Sequence, residues 1–305
     1  MKFSINNEFG NLKKVVLGTG FDSGGVPKIS EVYDPHSKKN VLEKNYPNED
    51  DIVSNLNEFK NILLNYKVNV IEPFNICSVN QVFTRDIGFV ISDYFFISNV
   101  IKDRSKEFEG ISHILSSFNN ENIISLPSNT SVEGGDVIVH DDYIFVGVSS
   151  EEDFNSKKVA RTNLKAVNFL KSFFPNKKIL CFELIKSDNL IEENCLHLDC
   201  CFQPLGLGHV LVCFDAFKNN GDIEIVKNLF GKKYLIELSK EEMGGLNSNI
   251  FSISKNIIVS TTKFTRVNKL LFSLGYTVEE VNFSSVAKMG GLLRCSTLPL
   301  IRLWN

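Results

Sequence analysis

The feature that most limits what this chain can fold into is a pattern that returns about every 50 residues. In each copy a polar motif leads into a short apolar strand, a tight turn, a second strand, a helical stretch and a third strand. The copies read "FTRDIGFVISDYFFISN", "EGGDVIVHDDYIFVGVSS", "LHLDCCFQPLGLGHVLVCFDAF" and "NSNIFSISKNIIVSTT". Turns are expected at Ser92-Asp93, Asp141-Asp142, Gly206 to Gly208 and Lys255-Asn256, where turn-forming residues interrupt the apolar runs. The stretches "KEFEGISHILSSF", "ARTNLKAVNFLKSFF" and "TRVNKLLFSLG" space their apolar residues at i, i+3, i+4 and are expected to be helices. A fifth unit is completed only by joining "LKKVVLGTG" near the start to "LLRCSTLPLI" near the end. That pairing would bury an apolar chain end and remove the open edges of a linear array. The expectation is an α/β fold, a single domain over 1–305, built as a closed ring of five units.

Apolar residues make up 43% and charged residues 23%, enough for a sizeable core without disulfide or metal staples. Net charge is -3, and Lys and Arg are scattered rather than striped, which argues against nucleic acid or an anionic membrane as partner. No apolar run approaches the roughly 18–20 residues of a membrane span. The opening "MKFSINNEFGNLKK" carries no signal-peptide core, and the seven cysteines are odd in number, so reduced thiols in the cytoplasm are expected. Cys200 and Cys201 are adjacent and, in a strand, would face opposite ways, forming neither a redox pair nor a zinc knuckle. A homodimer is compatible with the sequence, although no apolar stripe singles out its interface.

If the units surround an axis, the polar motifs converge on its centre. They bring Asp86 from the first copy, Glu133 and Asp136 from the second, His197 and Asp199 from the third, Asn247 and Asn249 from the fourth, and Cys295 from the closing unit. His197 and Asp199 stand two apart and would share one face of a strand. Gly290-Gly291 ahead of Cys295 allow close approach of backbone and ligand. Carboxylates gathered in a hollow require a cation. One imidazole with hard carboxylates and a soft thiol suits no common metal, so no metal or other cofactor is expected. A planar guanidinium suits the acids, and its central carbon is an electrophile for a thiolate. The chemistry read from these residues is covalent: Cys295 adds to that carbon, His197 protonates the departing amine, then activates water or a second amine. Burial among acids would hold Cys295 as a thiol until the cationic substrate arrives.

The blocks "FTRDIG", "VEGGDV", "FVGVSS…RTN", "LHLDCCFQPLG" and "GGLLRCSTLPL", with the opening "NEFGNLKKVVLG", resemble in order those of the guanidino-group-modifying superfamily. It contains arginine deiminases, dimethylarginine dimethylaminohydrolases, agmatine deiminases and amidinotransferases, and the resemblance runs from about Asn7 to Leu300. It implies a five-bladed pseudo-symmetric α/β propeller, the pentein fold. It also implies Cys295 as nucleophile, His197 as general acid and base, and Glu133 as the acid that orients His197. Asp86 and Asp199, with Asp136, are implied to hold the guanidinium, and Arg104 and Arg161 the carboxylate of an amino-acid substrate. The chain departs from the hydrolases by inserting "EEDFNSKKVA" before "RTN", a segment that could cover the site, and by Arg294 just before the cysteine. The "EGGD" block favours hydrolysis of arginine or a methylated arginine to citrulline. The alternative is amidino transfer to an acceptor amine. A non-catalytic scaffold is a third reading, against which the full set of acid, imidazole and thiol argues.

Overall fold

The computed structural model describes residues 1–304. Its strands are β1 (Asn11–Leu17), β2 (Asn69–Ile71), β3 (Gly88–Ile91), β4 (Tyr94–Ile97), β5 (Ile123–Ser125), β6 (Val137–His140), β7 (Tyr143–Val148) and β8 (Lys178–Glu183). They continue as β9 (Phe202–Pro204), β10 (Val210–Val212), β11 (Leu235–Glu237), β12 (Phe251–Ser252), β13 (Ile257–Thr261), β14 (Thr277–Val281) and β15 (Thr297–Leu303). They form five three-stranded sheets: β3-β4-β5, β6-β7-β8, β9-β10-β11, β12-β13-β14 and β15-β1-β2.

In four sheets a hairpin sets the first strand antiparallel to the second, and a longer excursion brings the third strand in parallel. Parallel neighbours require such a crossover, and helices supply it. The excursions carry α1 (Pro35–Leu42) and α2 (Glu49–Asn65), α3 (Ser112–Leu115), α4 (Glu151–Ser156) and α5 (Leu164–Phe173), and α6 (Asn220–Phe230). A short α7 (Lys240–Gly244) precedes β12, and α8 (Thr265–Ser273) links β13 to β14. Ser92 and Asp141 take positive φ at the first two hairpin turns, a conformation short polar side chains tolerate.

The fifth sheet follows the same rule with its first strand drawn from the far end of the chain. β15 runs antiparallel to β1 from Asn11↔Leu303 to Leu17↔Thr297, and β1 runs parallel to β2. The two ends of the sequence therefore complete one unit, as the repeat requires. Pro299 is accommodated because β15 is the outer strand of its sheet. Ser4 lies along its other side, donating to the Leu300 carbonyl at 3.1 Å and accepting from the Arg302 amide at 2.7 Å. Leu298 and Leu300 are fully buried. Among the described residues no helix is long and apolar enough to cross a membrane.

Two local expectations differ from the structure. The stretch 106–118 is a 3-10 turn (Glu107–Ile111) followed by the single turn of α3, not one continuous helix. Gly110 weakens it, and Ser112, Ser116 and Ser117 each turn their hydroxyl back onto a carbonyl three residues earlier. Leu198–Cys200 is likewise a 3-10 turn, so His197 and Asp199 do not alternate along a strand. Asp136 captures the Leu198 amide at 2.9 Å and thereby holds the turn.

Candidate active site

Each sheet is preceded by a tight turn, and the five turns deliver Asp86, Asp136, Asp199, Asn249 and Cys295 one to three residues before the first strand. Four of these turns meet around Cys295. The Asn249 side-chain amide donates to Cys295 Sγ at 3.2 Å, while its oxygen accepts from the Cys295 and Arg294 amides at 3.2 and 3.0 Å. Asp199 Oδ2 lies 3.9 Å from the sulfur, and the Arg85 amide donates to the Cys295 carbonyl at 3.0 Å. Burial above all, then the charges of Asp199 and Asp86, push the Cys295 thiol well above its usual range; Asn249 only partly opposes this. With these surroundings Cys295 is held as a neutral thiol at neutral pH.

His197 is 1% exposed and its Nε2 sits 2.9 Å from Glu133 Oε2, with Nδ1 3.7 Å from Asp86 Oδ1. Burial works against its charge, but Asp86, Glu133 and Asp136 outweigh burial and push it up to about 9. At neutral pH it is an imidazolium. Glu133 is fully buried, yet Arg161 Nε at 3.3 Å, the imidazole and Arg104 Nη1 at 3.5 Å hold it well below the usual carboxylate range against that burial. Gly135 makes the cluster sterically feasible: a Cβ there would stand 2.7 Å from His197 Nδ1 and 3.0 Å from Asp86 Oδ1. No hydrogen bond joins Cys295 to His197 among the described residues. The imidazole is thus not the partner that ionises the thiol in this arrangement.

Cys295, His197, Asp86, Arg104 and Arg161 all line one cavity of about 110 Å³. Glu133 stands behind His197. Asp136 and Asp199, expected at the substrate, do not line it. Asp136 accepts from Thr162 Oγ1 at 2.6 Å and from the Leu198 amide, which makes it the support of the His197 turn, and burial raises it. Asp199 accepts from Arg294 Nη1 at 2.8 Å and approaches the cavity only through the sulfur. Arg294 also does not reach the cavity. It is fully buried, with Nε and Nη2 on Glu8 and Nη2 on the Val137 carbonyl. Asn247 is only half-buried, unlike its neighbour Asn249.

The two arginines differ. Arg104 is held by Asp86 at 2.6 Å, by both oxygens of Glu107 at 2.8 and 2.7 Å, and by the Phe83 carbonyl, which commits four of its five N–H donors. Arg161, among the described residues, makes side-chain hydrogen bonds only to the Lys158 and Tyr33 carbonyls, ion-pairs through Nε with Glu133 at 3.3 Å, and lies over the Tyr33 ring at 5.3 Å. Glu107 escaped the sequence reading, although its spacing three residues after Arg104 is that of a helical ion pair. Burial, set against Arg104, brings it up to about 7.

The insertion at 151–160 does not cover the site. It forms α4, capped by Ser150, and contributes no cavity wall. The wall comes instead from residues between Ser23 and Ser37, a segment without periodicity that sequence reasoning passed over. Lys158 at the end of the insertion bonds the Ser30 carbonyl at 3.1 Å, so the insertion braces that wall. Asp86, Glu133 and His197 place ligand atoms within 4.8 Å of one another, close enough for a metal ion. Such an ion would face the guanidinium groups of Arg104 and Arg161, both already on these carboxylates. The donor set suits an organic cation better.

Comparison with known proteins agrees with this geometry. The family model described as N,N dimethylarginine dimethylhydrolase, eukaryotic, matches residues 32–302. The uncharacterized protein YkgA of Bacillus subtilis is 34% identical over 224 residues, 73% of this chain and 70% of its own length. Among solved structures, the product-bound N-terminal domain of ArgZ, an arginine dihydrolase of the ornithine-ammonia cycle in cyanobacteria, superposes with a TM-score of 0.79 at 17% identity, covering 96% of this chain and 98% of that one. SxtG, an amidinotransferase of Microseira wollei from saxitoxin biosynthesis, gives 0.77 at 16% identity over 99% and 98%. Both share this α/β fold. The chain belongs to the N,N dimethylarginine dimethylhydrolase family, and through it to the guanidino-group-modifying pentein superfamily.

Proposed function

We propose that the protein is a cytoplasmic hydrolase of the guanidino group of arginine or a methylated arginine, working through an amidino-cysteine intermediate. We read the chain as one domain, its five sheets as propeller blades and the cavity as their shared centre. The observation that carries the reading is the arrangement at the cavity: His197, held by Glu133 at 2.9 Å and pushed up to about 9, lines it together with a thiol to which it makes no hydrogen bond among the described residues. That pairing suits an acid waiting for a leaving amine better than a base waiting for a thiol. The substrate guanidinium pairs with Asp86 Oδ1, which has no hydrogen-bond partner among the described residues, and its charge lowers the cost of forming the thiolate. Cys295 gives up its proton to water, and the thiolate Sγ, steadied by Asn249, bonds to the guanidinium carbon. His197 gives its proton to the amine as the C–N bond breaks. The now neutral His197 takes a proton from water, whose oxygen displaces the sulfur and leaves the ureido product. Asp199 faces the sulfur, Asp136 holds the His197 turn, and Arg161, with N–H donors still uncommitted, receives the substrate carboxylate. Arg104 serves by fixing Asp86.

The test is product formation from arginine, monomethyl- and asymmetric dimethylarginine, agmatine and guanidinoacetate, with and without glycine or lysine as acceptor. Citrulline from one of them, abolished in Cys295→Ser, is the expected result. Ornithine formed without any acceptor would instead align the chain with the arginine dihydrolase activity for which ArgZ is named. Ornithine only in the presence of an acceptor would make it an amidinotransferase.

A further inference from the structure

Resting on the guanidino-hydrolase reading above, we propose that Asp34 selects substrates bearing an ammonium group in addition to the guanidinium, that is, α-amino acids over their des-amino counterparts. Three carboxylates line the cavity: Glu31, Asp34 and Asp86. Asp86 is paired with Arg104, and Glu31, at the exposed rim, lies 3.6 Å from Lys28. Asp34 is 7% exposed and makes no ion pair among the described residues. Its one hydrogen bond is at Oδ1, which accepts from the Ser37 amide at 2.9 Å and caps α1. The Ser37 hydroxyl is turned to the Met289 carbonyl at 3.0 Å and gives Asp34 nothing.

A carboxylate this deep without a cation is costly unless something cationic arrives. The guanidinium of the substrate does not serve, because Asp86 and the sulfur already claim it. A second cationic group on the same molecule does. Asp34 is also held in place for the task. Gly290, at φ +86, passes so close that a Cβ there would lie 2.3 Å from Asp34 Oδ1, and the neighbouring Tyr33 carbonyl is fixed by Arg161 Nη2 at 3.2 Å. Arg161 for a carboxylate and Asp34 for an ammonium together describe the two ends of a zwitterion.

The experiment compares L-arginine with 5-guanidinopentanoate, the same molecule without its α-ammonium. Binding is measured by calorimetry in the Cys295→Ser background, where no turnover intrudes, with Asp34 intact, Asp34→Asn and Asp34→Ser. Both replacements keep an oxygen for the α1 cap, and a melting curve verifies that each folds. With Asp34 intact arginine should bind about tenfold tighter or more, the size of a charge-assisted hydrogen bond. Both replacements should bring the ratio close to one. A preference that survives both replacements, or no preference with Asp34 intact, overturns the proposal while leaving guanidino binding established. Failure of both ligands to bind any of the proteins removes the guanidino reading itself, and the proposal with it.

Discussion

Glu133 and His197 sit 2.9 Å apart and almost wholly buried, and under the proposed mechanism their joint charge state governs the pH response. A general acid must be protonated, so turnover should decline as pH rises past about 9, the value to which His197 is pushed. In Glu133→Gln one of the charges that raise His197 is gone; the alkaline limb should move down by about one unit or more, with kcat falling on the order of a hundredfold or more. A pH–rate profile that loses amplitude but keeps its limb would contradict this coupling. The same group contributes to folding. Because its pKa is raised from 6.5 to about 9, its stabilising share is whole below 6.5 and disappears as pH climbs through 9. Gly135→Ala should cost about 1–3 kcal/mol and most of the activity, since the added methyl meets His197 Nδ1 and Asp86; chemical denaturation and kinetics of the variant measure both. That Asp86, Glu133, His197 and Cys295 would gather could be read from the sequence, because each lies in the polar motif that opens a unit of the repeat. Glu107 and Asp34 could not, since they come from connections where no repeat guides the eye.

The element on which the site depends most is β15, which continues directly from the turn bearing Cys295. Its loss would strip β1 of its antiparallel partner along Asn11–Leu17, remove the buried Leu298 and Leu300, and uncover Val15, Val16 and Leu17, which are otherwise dry. A chain ending at Cys295 should be insoluble or unfolded by circular dichroism and gel filtration; a soluble, active product would refute the view that this strand completes the unit. The strands and their turns were legible because alternation and turn chemistry agree there. The helix expected over 106–118 was not, because side-chain hydroxyls competing for backbone carbonyls leave no mark on apolar spacing. The His197 turn misled for a similar reason: the long-range bond from Leu198 to Asp136 overrides the local strand pattern.

At the scale of the whole molecule, a buried charge cluster ties the first residues to the last. Glu8 meets Arg294 at 3.1 Å, and Arg294 in turn meets Asp199. Burial would raise Glu8, but Arg294 and Arg85 prevail and lower it from 4.5 to about 2. A lowered acid stabilises the fold above its unfolded pKa and ceases to do so as pH falls through the folded one. About 3 kcal/mol should therefore be lost between pH 4.5 and 2, and Glu8→Gln should flatten that part of the stability curve; denaturant titrations across the range decide it. The order of the sheets was legible from the repeat, whereas this cluster was not, since its members are single charges far apart in sequence. The pairing of Asn11 with Leu303 carries one more implication. Because β1 and β15 pair across nearly the whole length of the sequence, the sheet they form does not itself require the chain to be broken between them. A linker from the end of β15 back to the first residues could close the chain, and new ends could be opened at the exposed Lys255-Asn256 turn. The thiol would then be encoded near the start of the gene rather than near its end, on a protein whose sheets are unchanged.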